Sequence, residues 1–228
     1  MSVLELKNLS YGYLDGSQKR MILKDLSYTF EKGKFYSIFG PSGSGKTTLL
    51  SVAGGLENSQ EGEVIFDGKN ISKLGLSKYR RNHISFVFQQ FNLIPYLSAL
   101  ENVINIMNIT DNELPKPYEV TALNLLDKFG IVDSKAKRSI NQLSGGEQQR
   151  VAIARGLATN VELIFTDEPT GNLDVATEQE IIKILKSLAE DYGKCVIAVS
   201  HSLAISGSSD IHLELVNGQL LEIDRENR

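Results

Sequence analysis

The chain has 228 residues, enough for one large domain to bury a core without disulfides or structural metals. Its 24 basic and 28 acidic side chains leave a net charge of -4, which excludes the broad positive field that gathers nucleic acid, so no nucleic-acid partner is expected. The single cysteine, Cys195, lies in an apolar run; it excludes an internal disulfide and reads as a small buried hydrophobe in a reducing compartment.

In chain order, residues 1–9 alternate apolar and polar side chains and lack a cationic segment leading into an apolar core. No stretch approaches the ~18 apolar residues of a spanning helix, so a soluble, cytoplasmic chain is expected, with any membrane spans supplied by another polypeptide. Residues 3–10 and 21–30 read as strands around the turn-rich Asp15-Gly16-Ser17, and the run 34–39 reads as a buried strand ending at Gly40. A helix is expected over 46–53, stopped by Gly54-Gly55, followed by strands over 63–66 and 84–88. Between 91 and 141 the pattern turns mostly helical, broken by Pro95, Pro115 and Pro117, as in a helical subdomain inserted into a sheet domain. Next come a helix over 147–158, an apolar strand over 161–165, a helix over 175–191 with Ile181, Ile182, Leu185 and Leu188 on one face, and a strand over 195–200. Asn217-Gly218 between the alternating runs 211–216 and 219–223 signals a two-residue hairpin. Strands alternating with helices imply an α/β fold with a mostly parallel sheet, and the whole of 1–228 reads as a single domain.

Three segments carry chemistry. Gly40-Pro41-Ser42-Gly43-Ser44-Gly45-Lys46-Thr47 fits the phosphate-binding loop, with the required strand before it and helix after it. The bare pattern arises by chance in roughly one chain in a hundred of this size, so a mere glycine turn is the weaker reading. Glycines let the backbone wrap a polyphosphate, the helix N-terminus adds roughly half a positive charge, and Lys46 adds a full one. Thr47 can offer its hydroxyl to Mg²⁺. Leu163 to Phe165, then Thr166-Asp167-Glu168, is an apolar strand that delivers two carboxylates at its end, where a parallel sheet opens its ligand crevice. Asp167 there would hold Mg²⁺ through water, and Glu168 would act as a general base on the attacking water. Leu143-Ser144-Gly145-Gly146-Glu147-Gln148-Gln149-Arg150 places a serine cap and two glycines at a helix start, a second anion-binding end.

Together with Asp174 in Gly171-Asn172-Leu173-Asp174, these segments resemble the ATP-binding-cassette family in order and spacing from about Leu4 to Ile223. The resemblance implies a phosphate-loop NTPase core with an N-terminal antiparallel β subdomain and an inserted helical subdomain, binding ATP and Mg²⁺ and hydrolysing ATP. By the same resemblance, residues 40–47 and Thr48 contact ATP, Thr47, Gln89 and Asp167 serve the metal, and Glu168, His201 and Gln89 serve catalysis. Ser144, Gly145, Gly146, Glu147 and Asp174 would reach the ATP of a second copy in a head-to-tail pair. Tyr13 is similar to the aromatic residue that stacks on adenine, with Tyr11 the competing residue, and Ser202 stands where many relatives carry an acid.

The wording of 86–95, 143–155 and 166–174 looks most like the macrolide-exporter and lipoprotein-release branch. That implies a separate membrane permease docked near Gln89 to Glu101 and a location at the cytoplasmic face of the cell membrane. Chromosome-type cassette ATPases resemble the fold but place a long coiled coil between phosphate loop and signature, and Gly45 and Ser144 are too close for one. Lys78, Arg80 and Arg81 read as a solvated helix face, and Ile104, Ile106, Met107 and Ile109 as core or partner surface.

Overall fold

A computed structural model describes residues 1–16, 18–171 and 173–223; Ser17 of the expected turn and Asn172 of the Gly171–Asp174 segment lie outside the described residues. Alternating apolar and polar residues build two long strands, β1 (Ser2–Asp15) and β2 (Gln18–Glu31). Both run beyond the expected 3–10 and 21–30, because register shifts between Leu6 and Leu9 and between Leu9 and Tyr11 break the period of two without ending the pairing. After β3 (Phe35–Phe39) and α1 (Lys46–Ala53), the strands β4 (Glu61–Phe66) and β5 (Lys69–Asn70) complete an antiparallel sheet in the order β2-β1-β4-β5.

Two short helices, α2 (Ile71–Leu74) and α3 (Leu76–Asn82), lead to β6 (Ile84–Phe88). The chain then turns helical through α4 (Ala99–Met107), α5 (Tyr118–Lys128), α6 (Asp133–Ala136) and a 3-10 turn at Ile140–Gln142. It re-enters the sheet through α7 (Gly145–Leu157), β7 (Leu163–Asp167), α8 (Val175–Glu190) and β8 (Cys195–Val199), and ends in α9 (Leu203–Ser208), β9 (Ile211–Val216) and β10 (Gln219–Glu222). Among the described residues the second sheet runs β10-β9-β3-β8-β7-β6, parallel except for the terminal hairpin. There Asn217 and Gly218 both take positive φ, the backbone that a two-residue turn between twisted strands requires.

The parallel sheet is buried on both faces, which is why its strands read as continuous apolar runs. Along β8, Cys195, Ile197 and Val199 pack toward the antiparallel sheet, and Val196 and Ala198 pack toward the helices. Burial pushes the Cys195 thiol upward, away from the thiolate a nucleophile needs. The inserted helices close over the second core, with Val103, Met107, Leu126 and Ile131 buried beside Val151 and Ile164. The stripe on α4 is therefore mostly core, with only Ile109 half exposed beyond it.

Two boundaries move relative to expectation. The strand expected at 161–165 is Leu163–Asp167, since its ladder partners are Ile84 to Phe88 on one side and Cys195 to Val199 on the other. The helix expected at 147 starts at Gly145, directly after its Ser144 cap. The basic run on α3 is only partly solvated: Arg80 donates to the Gly55 carbonyl, which receives no helical bond, and Arg81 pairs with Asp111.

Candidate nucleotide-binding and hydrolysis site

The loops after β3, β7 and β8 meet at the carboxyl ends of their parallel strands, where sheet topology opens a crevice. They line a cleft of about 300 Å³ that takes in Ser42, Gly43, Gly45 to Thr48, Asp167, Glu168 and His201. Gly45 holds φ +102, and a Cβ there would stand 2.3 Å from Ile22 Cγ2, so only glycine lets the loop turn this tightly into α1. Gly45 also caps α1 without any side-chain hydrogen bond, and the first turn carries no acid. The N–H groups of that turn keep their capacity for an external anion.

Lys46 is buried, and its ammonium donates to the carbonyls of Gly40 at 2.8 Å and Pro41 at 3.1 Å. Burial pushes its pKa down, with Glu168 and Asp167 pulling it back up. Ser44 Oγ is buried with no hydrogen-bond partner among the described residues. An orphaned hydroxyl, open N–H groups and a buried ammonium fit a polyphosphate, which would satisfy all three.

Asp167 ends β7, and Glu168 follows it in the left-handed region at φ +47, a costly backbone for a non-glycine residue. The bend is held by the Glu168 N–H donating to the Val199 carbonyl at 2.9 Å. The Glu168 carboxylate accepts from the Ser200 hydroxyl at 3.1 Å and from the His201 N–H at 3.3 Å. His201 Nε2 stands 3.7 Å from its other oxygen. The Asp167 carboxyl is pushed up, by burial first and then by Glu168, against the Thr47 hydroxyl, which donates to it at 3.4 Å, and the Lys46 charge. Thr47 and Asp167 thus offer two hard oxygens side by side. Among the described residues no group of three or more His, Cys, Asp and Glu could cage a metal alone. That donor set fits Mg²⁺, which binds through one or two protein oxygens and completes its shell with phosphate and water.

The other expected residues lie around this cleft rather than in it. Tyr13 is half exposed with its hydroxyl 3.5 Å from Thr48 Oγ1, and Tyr11 is buried under it, edge to face at 5.2 Å. Gln89 is exposed just past β6, beside Gly171, where an added Cβ would come within 3.0 Å of its Nε2. Ser144, Gly145, Gly146, Glu147 and Asp174 do not line the cleft. Ser144 and Glu147 form a reciprocal capping box on α7, and the Glu147 carboxylate is held low, first by Lys135 and then by the Ser144 N–H. Gly145 is exposed, and Gly146 is buried where a Cβ would meet Thr177 Cγ2 at 2.3 Å. Asp174 caps α8 by accepting from the Thr177 N–H and hydroxyl, which lowers its pKa.

Several residues that sequence reading passed over organise the site. Ser200 and Thr170 are buried beside the acids, Glu178 receives hydrogen bonds from Thr170 and Ser202, and the Arg155 guanidinium grips the Phe91 and Asn92 carbonyls just past Gln89. These contacts span 8 to 64 positions, and only Ser200, next to the histidine, carried a local signal.

Comparison with known proteins agrees with this geometry. The ABC transporter family model matches residues 23–171. The chain is 45% identical over 218 residues to the ABC transporter ATP-binding protein YclH of Bacillus subtilis, covering 96% of this chain and 95% of that protein. It is 39% identical over 223 residues to the lipoprotein-releasing system ATP-binding protein LolD of Francisella tularensis, covering 96% and 95%. The dimeric ATP-binding cassette MJ0796 of Methanocaldococcus jannaschii, solved in a post-hydrolysis state with ADP and Pi, superposes with a TM-score of 0.86 at 39% identity over 97% of this chain and 98% of that one. The chain therefore belongs to the ABC transporter family, as an ATP-binding and ATP-hydrolysing subunit.

Proposed function

We propose that this chain is the engine of a membrane exporter or extraction system and works as a head-to-tail pair closed around two Mg²⁺-ATP. One observation carries the reading: the phosphate loop, the acid pair and His201 share one cleft, and the second glycine-rich helix start, with Gly145 exposed, does not line it. A two-fold partner supplies that helix start to the opposite phosphate loop, as a self-complementary interface allows. Asp174, exposed at the tip of α8, lies at the same joint.

Within each site, residues 40–48 bind the phosphates and Tyr13 stacks on adenine. The exposed ring of Tyr13 supports it over the buried Tyr11. Thr47, Asp167 and Gln89 hold Mg²⁺, which when bound neutralises charge developing on the phosphates. Glu168 takes the proton of the attacking water, and His201 contacts the terminal phosphate. Ser200 and the His201 N–H keep the Glu168 carboxylate aimed. Loss of the terminal phosphate then removes the contact joining the two copies, and the pair reopens.

Among the described residues no helix is long and apolar enough to cross a membrane, so a permease supplies the spans and holds the chain peripherally at the membrane. Its docking surface centres on residues 89–101, where Phe91 and Leu93 pack onto the core and Tyr96 stands 83% exposed. The likeness to the lipoprotein-releasing ATPase supports the export branch.

Complementation tests the pair. Lys46→Ala and Ser144→Arg subunits, each inactive alone, are mixed; one composite site then carries both defects and the other neither. Hydrolysis returning on mixing is expected. No recovery, together with a Glu168→Gln chain that stays monomeric in saturating ATP even when joined to its permease, would end the sandwich reading.

A further inference from the structure

The Glu168 carboxylate is not aimed by its own loop alone. Its Oε2 accepts from the buried Ser200 hydroxyl at 3.1 Å, and Ser200 Oγ in turn accepts the Ser202 N–H at 3.0 Å. The Ser202 hydroxyl has a single proton, and it goes to Glu178 Oε1 at 2.6 Å, because the lone pairs of Ser202 Oγ already face the N–H groups of Ala204 and Ile205. The same Glu178 oxygen accepts from the buried Thr170 hydroxyl at 3.0 Å, two residues past Glu168. A single carboxylate therefore grips the loop after β7 and the loop after β8 together.

Glu178 can do this because of where it stands. It lies in the first turn of α8, where the helix N-terminus favours a negative charge. Ile181, Ile182, Leu185 and Leu188 lock that helix into the core, so its first turn is a rigid anchor. Every donor in the chain is a hydroxyl or N–H, and both ends are carboxylates, so the direction of each bond is set.

We propose that Glu178 is a positioning residue: through Ser202 and Thr170 it clamps the two loops that carry Glu168 and His201, and so holds the water-activating carboxylate in register with the phosphate loop. This rests on Glu168 acting as the base. The clamp explains the serine at 202. An acid there would have no proton to give and would set a second negative charge against Glu178. The two positions form a matched pair in which α8 holds the carboxylate and the loop holds the donor.

The full-length chain tests this through ATP turnover at saturating ATP and ATP affinity measured by nucleotide titration. Ser202→Asp should lower kcat about tenfold or more, since small misplacements of reacting groups reach ~10²-fold, with affinity within about threefold of wild type. Glu178→Gln alone should stay within about threefold, because its amide oxygen still accepts both hydroxyls. Added to Ser202→Asp it should restore turnover to about that level, its NH₂ donating to the new acid. Ser202→Asp within twofold of wild type, or no rescue by Glu178→Gln, overturns the clamp. If Ser202→Asp is insoluble, Ser202→Ala and Glu178→Ala replace it: each should lower kcat with affinity kept, and the double variant should lose no more than either alone. Additive losses overturn the clamp. Glu168→Gln is run alongside. Normal turnover there overturns the base assignment and the clamp with it, whereas an inert Glu168→Gln beside an unaffected Ser202→Asp overturns the clamp alone.

Discussion

Two glycine-rich loops open helices in this molecule, at α1 and at α7, and they solve the same backbone problem in opposite ways. Gly45 caps α1 with no side-chain acceptor and no acid in the first turn, so the helix end is left for an external anion. Ser144 and Glu147 cap α7 reciprocally, so one first-turn N–H and the cap's own N–H are already satisfied within the chain. The first helix end is built around a ligand; the second is stable without one. Under the proposed pairing, the α7 helix start would meet its partner already capped, whereas the α1 helix start would rely on Lys46 and the bound polyphosphate.

The sharpest way to break this contrast is Lys46→Ala. It should leave the fold intact and lower ATP binding or hydrolysis by orders of magnitude; turnover within twofold of wild type, only ~0.4 kcal/mol in barrier, would remove the phosphate-loop role. Next in size is Gly45→Ala, which forces a Cβ onto Ile22 and a left-handed backbone costing about 1–2 kcal/mol per residue. Chemical denaturation should show at least that loss, and nucleotide titration a weaker site. Ser144→Ala should cost about 1 kcal/mol, a fall in Tm of roughly 2–4 °C, because α7, unlike α1, relies on a side-chain cap. No loss there would erase the difference between the two helix starts.

The smallest effect is expected at Asp167. Burial and Glu168 raise its folded pKa above the unfolded value near 4, so the folded chain holds the proton longer. Its contribution to ligand-free stability is therefore fullest below the ordinary carboxylate range and is lost as pH rises through the raised value. Asp167→Asn should raise the ligand-free Tm at pH 7 by no more than about 2 °C, with the gain vanishing toward pH 4, and should weaken Mg²⁺-dependent turnover. A variant less stable than wild type at pH 7 would mean that Lys46 and Thr47 outweigh the desolvation.

Much of this site was legible because its chemistry is local. The phosphate loop and the acid pair are contiguous, and each demands a strand end or helix start that periodicity reveals at Phe39, Lys46 and Asp167. The glycines at 145 and 146 were legible only in part. As a sequence they mark an anion-binding helix start, yet Gly146 is required by the close approach of α7 to Thr177 on α8, which no local pattern encodes. Strand ends drifted for a similar reason: β7 runs to Asp167 because neighbouring strands offer partners that far.

By itself the sequence determined the α/β class, the order of its elements, the phosphate loop and the acid pair at the end of β7, since these depend on residue types within a few positions of one another. The tertiary structure alone decided that Tyr11 is buried and Tyr13 exposed, that Arg155 holds the loop past Gln89, and that Glu178 ties Ser202 to Thr170. The physical reason is that a hydrogen bond depends on separation in space, and packing sets that separation between residues whose distance along the chain carries no trace of it.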